Sequence, residues 1–130
     1  MTQAGCKTIL LVEDDDALAA VLAVKLKSVG YEVHAERCGT TALIYAAERR
    51  PDLVVLDLRL PDMDGYEVCR RLRGLYNRWD VPIVMLTGRD RPIDELRGFA
   101  HGADAYLSKP CEPLELLNTI IVLTGETALR

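Results

Sequence analysis

The sequence predicts an α/β fold in which an open parallel sheet of five strands carries helices on both faces. Short, continuously apolar runs alternate along the chain with segments whose apolar residues recur at helical spacing. Continuous apolar runs are typical of strands buried on both faces of a parallel sheet, and parallel strands need crossover connections, which are almost always right-handed. The length of 130 residues, with 49% hydrophobic and 28% charged residues, fits one globular domain with a sizeable core.

An abrupt change of period marks the first strand and the first helix. The largely apolar run Thr8–Val12 ends at four consecutive acidic residues, 13–16. The aspartates among them can cap a helix that starts near Ala17 and interact favourably with its dipole, and Gly30 can end that helix. Its apolar positions at helical spacing are Leu18, Val21, Leu22, Leu26 and Val29.

The second and third units follow the same pattern. Residues 31–36 predict a second strand, and Thr40 can cap the helix that follows it. The apolar run 53–56 predicts a third strand that closes on Asp57, and residues 60–65 have the composition of a turn. The apolar residues of the third helix are Val68, Cys69, Leu72 and Leu75.

The last two units complete the alternation. Residues 82–86 predict a fourth strand that ends at Thr87, and the helix after it can stop at Gly102. Ala105–Ser108 predicts a short fifth strand, and Pro113 suits the first turn of the last helix. The helix between the fourth and fifth strands is predicted around Ile93, Leu96 and Ala100.

Four predicted strands end in chemically capable residues: Asp14, Asp57, Thr87 and Lys109. Ligands of open parallel sheets bind outside the carboxyl ends of the strands, so we expect these side chains to converge. Together with Glu13, the two aspartates would place three carboxylates close together, and their repulsion requires a cation. One Mg²⁺ ion, which prefers oxygen ligands, would leave a single negative charge for Lys109 to neutralise. Each residue alone is better explained as an ordinary polar boundary of a strand or helix, so the prediction depends on the combination.

Asp57 is the candidate nucleophile of this site, because carboxylates accept phosphoryl groups as aspartyl phosphates. Such transfers depend mainly on positioning and on neutralisation of charge. The ammonium of Lys109 can hold one phosphate oxygen, and the hydroxyl of Thr87 with the backbone of Gly88 can hold another. The sequence thus indicates a phosphoryl-accepting site.

The residues of this site lie in motifs that resemble the receiver domain of two-component response regulators, the family to which chemotaxis regulators also belong. The motifs are residues 9–15, 57–65, 82–88 and 102–110. They follow one another in the order and spacing of the family across roughly residues 8–123. The resemblance implies a flavodoxin-like, doubly wound sheet with the strand order 2-1-3-4-5.

The resemblance also implies a ligand set and a phosphoryl donor. Asp57 would accept the phosphoryl group of a phosphohistidine, carried by a sensor histidine kinase or a histidine phosphotransfer protein. Asp14 and Asp57 would bind Mg²⁺ directly, Glu13 would act through water, and Arg59 would contribute its main-chain carbonyl. No organic cofactor is implied.

A switch mechanism follows from the same resemblance. Thr87 and Lys109 would contact the phosphoryl group, and movement of Thr87 would let the aromatic ring of Tyr106 rotate. The surface formed by the helix after the fourth strand, the fifth strand and the last helix would then signal to a downstream partner. We expect a signalling switch rather than an enzyme, one that assists its own phosphorylation and dephosphorylation. The bond before Pro110 is cis in many relatives.

Composition limits the location and the partners that we expect. We expect one domain over residues 1–130, with a core at about 8–124 and short tails, and little room for a separate DNA-binding module. The net charge of -4 offers no general attraction to nucleic acid or to anionic membranes, so we expect neither as a direct partner. No apolar run approaches the length of a membrane span, which predicts a cytoplasmic protein. Homodimerisation stays open, although the last helix lacks the basic residues that one subfamily uses for it.

Three other functions compete with this interpretation. A phosphatase that forms an aspartyl-phosphate intermediate would resemble a class with an Asp-x-Asp nucleophile motif. Here the residue two positions after Asp57 is Arg59, so that motif is absent. A flavodoxin would have to bind phosphate at the acidic residues 13–16, which repel it. A pseudo-receiver that is never phosphorylated would normally lack one of the four key residues. We further hypothesise that one or both of Arg59 and Arg89 contact the phosphoryl group or shield it from water; solvated arginines without a role are equally compatible with the sequence.

Overall fold

A computed structural model describes residues 7–77, 80–88, 96 and 100–125. The strands are β1 (Thr8–Val12), β2 (Glu32–Glu36), β3 (Leu53–Asp57), β4 (Ile83–Thr87) and β5 (Ala105–Ser108). The helices that lie wholly within the described residues are α1 (Asp16–Ser28), α2 (Gly39–Glu48), α3 (Gly65–Leu75) and the last helix, α4 (Pro113–Thr124). All strand pairs are parallel and form one sheet in the order β2-β1-β3-β4-β5. The predicted α/β fold and its strand order are confirmed.

The core consists of two apolar layers, one on each face of the sheet. Alternate residues of a strand point to opposite faces, so Leu10 and Val12 of β1 belong to one layer and Ile9 and Leu11 to the other. All four side chains are at most 1% exposed. Helices α2 and α3 cover the first layer, and α1 and α4 cover the second. Burial on both faces is the reason that the central strands are apolar throughout.

Helix α1 buries fewer of its apolar residues than helical spacing predicts. Leu22 and Leu26 are buried, whereas Val21 is 54% and Val29 is 48% exposed. The helix carries alanine, valine or leucine on most of its circumference, so spacing alone does not select the face that packs on the sheet. Its end is as predicted, because Gly30 adopts a φ of +106°, which disfavours other residues.

The predicted cap of α2 is wrong. Thr40 lies inside the first turn of the helix, and Cys38 occupies the N-cap position without forming a side-chain cap hydrogen bond. The carboxylate of Asp62, from the loop after β3, accepts hydrogen bonds from the first turn instead. A cap that comes from another element leaves no local signal in the sequence.

The segment between β4 and β5 is described only in part. Leu96 and Ala100 are helical, in agreement with the predicted helix, whereas Ile93 and Arg89 lie outside the described residues. Gly102 has a φ of +106°, as expected for the end of a helix. Within the described ranges, no helix has the length and apolar character needed to cross a membrane.

Candidate functional site

Five of the predicted site residues lie together at the carboxyl edge of the sheet, namely Glu13, Asp14, Asp57, Arg59 and Lys109. The order of the strands reverses at β1, which lies between β2 and β3, and the crevice outside such a reversal is the usual ligand site of open α/β sheets. A cleft of about 430 Å³ opens there. Its lining consists of Glu13, Asp14, Asp15, Asp57, Arg59, Gly88 and Lys109.

Three carboxylates form an acid cluster in this cleft, namely Glu13, Asp14 and Asp57. One oxygen from each lies within 4.8 Å of the others. Glu13 is 2% and Asp57 is 4% exposed, whereas Asp14 is exposed. Buried carboxylates at such distances raise each other's free energy of ionisation, so the cluster requires positive charge.

Lys109 supplies part of that charge. Its Nζ lies 2.9 Å from Oε1 of Glu13 and 3.2 Å from Oδ1 of Asp57. Burial raises the pKa of both carboxyls, and the attraction to Lys109 offsets this only in part. For Lys109 itself, burial lowers the pKa, but the two carboxylates outweigh that effect and the net pKa is raised. One ammonium therefore leaves the cluster with uncompensated negative charge.

The acid cluster fits a hard divalent cation. Oε1 of Glu13 is fully buried and, apart from the ammonium of Lys109, the described residues offer it no hydrogen-bond partner. The three side chains supply oxygen donors only, which is the donor type that Mg²⁺ prefers. The described residues thus contain an acidic group able to hold a metal ion.

The loop between β1 and α1 divides its acids between two tasks. The N–H of Asp15 donates to Oε2 of Glu13 at 3.1 Å, and the Asp15 carboxylate accepts from the N–H of Leu18 at 3.1 Å as the N-cap of α1. Asp16 pairs with Arg37 at 3.2 Å. Among the aspartates predicted to cap α1, Asp15 occupies the N-cap position, and both Asp14 and Asp15 line the cleft.

The loop after β3 folds tightly behind Asp57. The N–H of Leu58 donates to the carbonyl of Leu86 at 2.9 Å, and the N–H of Gly65 donates to the carbonyl of Leu58 at 2.7 Å. A side chain at Gly65 would place its Cβ 2.5 Å from the main-chain oxygen of Asp57, so the turn requires glycine. The backbone N–H of Arg59 donates a hydrogen bond to the Asp57 carboxylate, which offsets only part of the rise in its pKa that burial causes. The side chain of Arg59 is exposed, and its carbonyl as a metal ligand stays a prediction.

The remaining predicted residues lie on β4, β5 and the turn that follows. Thr87 is 1% exposed, and its carbonyl accepts a hydrogen bond from the N–H of Lys109 at 2.7 Å. Gly88 lies beside open space, since a Cβ there would meet no atom within 4 Å. Tyr106 is half-buried against the layer covered by α2 and α3. The Lys109-Pro110 bond is cis, as the resemblance implies.

Two neighbours of the site were not predicted. Arg37 approaches the β1–α1 loop, with its Nη2 3.5 Å from the carbonyl oxygen of Asp14. Asp62 connects the loop after β3 to α2. Both act between loops that are distant in sequence, so no spacing motif could have indicated them. Arg89, by contrast, lies outside the described residues.

Comparison with known proteins identifies the family. The family model of the response regulator receiver domain matches residues 9–121. The DNA-binding dual master transcriptional regulator RpaA of Synechocystis is 38% identical over 119 residues, covering 92% of this chain and 49% of its own length. The DNA-binding response regulator MtrA of Mycobacterium tuberculosis is 46% identical over 109 residues, covering 84% of this chain and 46% of its own length.

Solved structures agree with this result. A putative response regulator from Chloroflexus aurantiacus has a TM-score of 0.85 and 36% identity, covering 93% of this chain and 99% of that one. A CheY-like response regulator receiver domain protein from Methanospirillum hungatei has a TM-score of 0.85 and 30% identity, covering 92% of this chain and 95% of that one.

These comparisons correct the prediction that excluded nucleic acid as a partner. The chain spans about half the length of the curated relatives above, and both are named DNA-binding regulators. The net charge of -4 belongs to residues that match only part of those proteins. This net charge therefore says nothing about contacts made by the unmatched part of those relatives. The prediction that excluded nucleic acid as a partner is wrong.

Proposed function

Because this chain belongs to the response regulator receiver domain family, we propose that it is a phosphorylation-controlled switch whose phosphoacceptor is Asp57. The donor is the phosphohistidine of a histidine kinase. The observation that supports this most directly is the position of Asp57 at the end of β3, buried, 3.2 Å from Lys109 and within the acid cluster.

Charge balance explains how the site would work. An oxygen of Asp57 attacks the phosphorus, a P–O bond forms, and the P–N bond to the donor imidazole breaks as the electron pair returns to the ring. Lys109, already beside Asp57, neutralises charge on an incoming phosphoryl oxygen. Glu13, Asp14, Asp57 and the carbonyl of Arg59 would hold Mg²⁺, which supplies further neutralisation of phosphoryl charge.

The same arrangement supports a proposal that Thr87 and Tyr106 transmit phosphorylation of Asp57 to the protein surface. Phosphorylation adds about -1.5 to -2 charges at Asp57, next to a strand end where the hydroxyl of Thr87 can turn toward the new oxygens. Tyr106 pairs in register with Met85, two residues before Thr87 on β4. A shift of Thr87 would thus change the packing of the Tyr106 ring and the surface around β5.

The relatives suggest which process the switch controls. Regulators named as DNA-binding are 38% and 46% identical to this chain over most of its length. We propose a transcriptional output, in which the phosphorylated receiver surface regulates a DNA-binding partner or module.

Phosphoryl transfer is tested by incubating the protein with acetyl phosphate and Mg²⁺ and measuring its intact mass. Wild type should gain one phosphoryl group, whereas Asp57→Asn, or wild type with a chelator, should gain none. A known receiver treated in parallel shows that the conditions are competent. If wild type stays unmodified while that receiver reacts, the chain is a pseudo-receiver and the proposal is wrong.

A further inference from the structure

A carboxylate outside the acid cluster connects the phosphoacceptor loop to α2. Oδ1 of Asp62 accepts a hydrogen bond from the N–H of Gly39 at 2.8 Å. Its Oδ2 accepts from the N–H of Thr40 at 2.8 Å and from the Thr40 hydroxyl at 2.5 Å. Cys38, at the N-cap position, forms no side-chain cap hydrogen bond, so Asp62 supplies the cap across more than twenty residues of sequence.

Packing reinforces this connection. A Cβ built on Gly39 would lie 2.6 Å from Cγ and 2.9 Å from Sδ of Met63, and 2.8 Å from Cγ2 of Val68. Met63 therefore occupies the space that a side chain at position 39 would fill. The first turn of α2 thus contacts two consecutive residues of the loop after β3. It donates hydrogen bonds to Asp62 and packs closely against Met63.

The segment just before α2 contacts the other acidic loop. Nη1 of Arg37 lies 3.2 Å from Oδ2 of Asp16, and its Nη2 lies 3.5 Å from the carbonyl oxygen of Asp14. The loop after β3 is thus connected to the start of α2, and the residue that leads into α2 is connected to the loop after β1. The first of these loops directly follows Asp57, the last residue of β3, and the second contains Asp14; both aspartates line the cleft.

We propose that Asp62 is a positioning residue of the phosphorylation site, which holds the loop after β3 at a fixed distance from the loop that carries Asp14. Asp62 does not line the cleft and acts through Gly39, Thr40 and Arg37. The inference rests on the proposed function, since it concerns the same site. Its expected signature is weaker Mg²⁺ binding in a protein that remains folded.

The test measures the Mg²⁺ Kd by isothermal titration calorimetry, and the rate of phosphorylation by acetyl phosphate as a function of Mg²⁺ concentration. In Asp62→Ala, the Mg²⁺ Kd should rise about tenfold, as for residues that orient metal ligands. Saturating Mg²⁺ should restore most of the phosphorylation rate. Asp62→Asn should lie between wild type and Asp62→Ala, because an amide keeps one acceptor oxygen and caps helices well.

Glu67→Ala is the matched control. Glu67 is likewise a surface carboxylate that accepts several hydrogen bonds, but its partners Arg70 and Arg71 lie on its own helix. The control should keep the Mg²⁺ Kd of wild type. Chemical denaturation of each variant separates loss of affinity from loss of stability.

The possible results are distinct. An unchanged Mg²⁺ Kd in folded Asp62→Ala would show that Asp62 is only a helix cap, and would overturn the proposal. If Asp62→Ala does not fold, the Mg²⁺ Kd values of Asp62→Asn and Thr40→Val are compared with that of wild type instead. Unchanged values in both variants would likewise overturn the proposal. Failure of wild type to take up phosphate while Mg²⁺ still binds would contradict the proposed function and leave the Asp62 comparison valid. Failure of wild type to bind Mg²⁺ would refute both.

Discussion

Lys109 is the cation nearest to the acid cluster among the described residues, and it faces two buried carboxylates at once. Lys109→Met keeps most of the side-chain volume and removes the charge. We expect phosphorylation by acetyl phosphate to slow roughly a hundredfold, the usual loss when one preorganised electrostatic contact to the reacting group disappears. Lys27→Met, at the exposed end of α1, is the control and should react like wild type. Equal rates for the two variants would exclude a role for Lys109 in transfer.

The ionised side chain of Asp57 should destabilise the folded protein when no metal ion is bound. Burial raises its pKa, so its ionised form is disfavoured in the folded state when no metal ion is bound. In chelator at neutral pH, we expect Asp57→Asn to raise the free energy of unfolding by about 1 kcal/mol, the usual size of such a gain. Added Mg²⁺ should stabilise wild type more than the variant. Urea denaturation with and without Mg²⁺ measures both effects, and a variant less stable than wild type in chelator would contradict the prediction.

Asp62 should stabilise the folded protein in its ionised form, whereas ionised Asp57 should destabilise it. The contribution of Asp62 should therefore depend on pH. The hydrogen bond from the Thr40 hydroxyl, helped by the backbone N–H groups of Gly39 and Thr40, lowers its pKa from 3.8 to about 2. Because the folded-state pKa lies below the unfolded one, the stabilisation is complete above the unfolded pKa and is lost as the pH falls toward 2. The difference in unfolding free energy between wild type and Asp62→Asn should therefore narrow below pH 4. A constant difference down to pH 2.5 would contradict this.

At the scale of single elements, the strands were predicted more accurately than the helices. The bounds of β1 and β5 are those expected from the sequence, because an apolar run closed by polar residues specifies a buried strand on its own. The cap of α2 was assigned to Thr40 and comes from Asp62, since a contact between distant residues depends on loop conformation. The positions of Asp57 and Thr87 at the ends of their strands could be predicted for the same reason as the strands.

Helix α3 is anchored at the edge of the sheet opposite the cleft. Arg73 donates to the carbonyls of Gly102 and Val81 at 2.8 and 2.7 Å and pairs with Asp104 at 2.5 Å. Oδ2 of Asp104 also accepts from the N–H of Ile83 at 2.9 Å. Both charged side chains are 15% exposed. One guanidinium thus connects α3 to the amino ends of β4 and β5.

Arg73→Met should lower the free energy of unfolding by roughly 3 kcal/mol, because it removes the cation beside a largely buried carboxylate. Since this contact lies at the far edge of the sheet, the Mg²⁺ Kd of the folded variant should equal that of wild type. Arg71→Met on the same helix, whose side chain is 54% exposed, controls for loss of a surface charge and should change stability little. A loss no larger than that of Arg71→Met would show that the buried pair contributes little.

At the scale of the whole molecule, alternation of strands and helices predicts a parallel sheet but not the order of its strands. Right-handed crossovers are compatible with several orders, and 2-1-3-4-5 was expected only from the resemblance to receiver domains. That order matters for function, because the reversal at β1 creates the crevice where Asp14 and Asp57 meet. The exclusion of nucleic acid failed because it rested on the net charge of these 130 residues. That charge describes these residues alone.

The two edges of the sheet should respond differently to phosphorylation. The carboxyl edge holds Asp57, Thr87 and the turn at Lys109, whereas the amino edge is held by Arg73 and Asp104. In Mg²⁺ with beryllofluoride as a phosphoryl analogue, amide hydrogen exchange should change around Tyr106 and stay constant near Arg73.

Thr87→Ala should still bind the analogue but lose the change at Tyr106, because the variant lacks the hydroxyl that we propose turns toward the new oxygens. The control Thr119→Ala removes an exposed hydroxyl from α4 and should respond like wild type. If exchange at Tyr106 responds equally in Thr87→Ala and wild type, the signal leaves the site by a route other than Thr87. An equal response at both edges would instead indicate a general change in stability rather than a switch confined to the carboxyl edge.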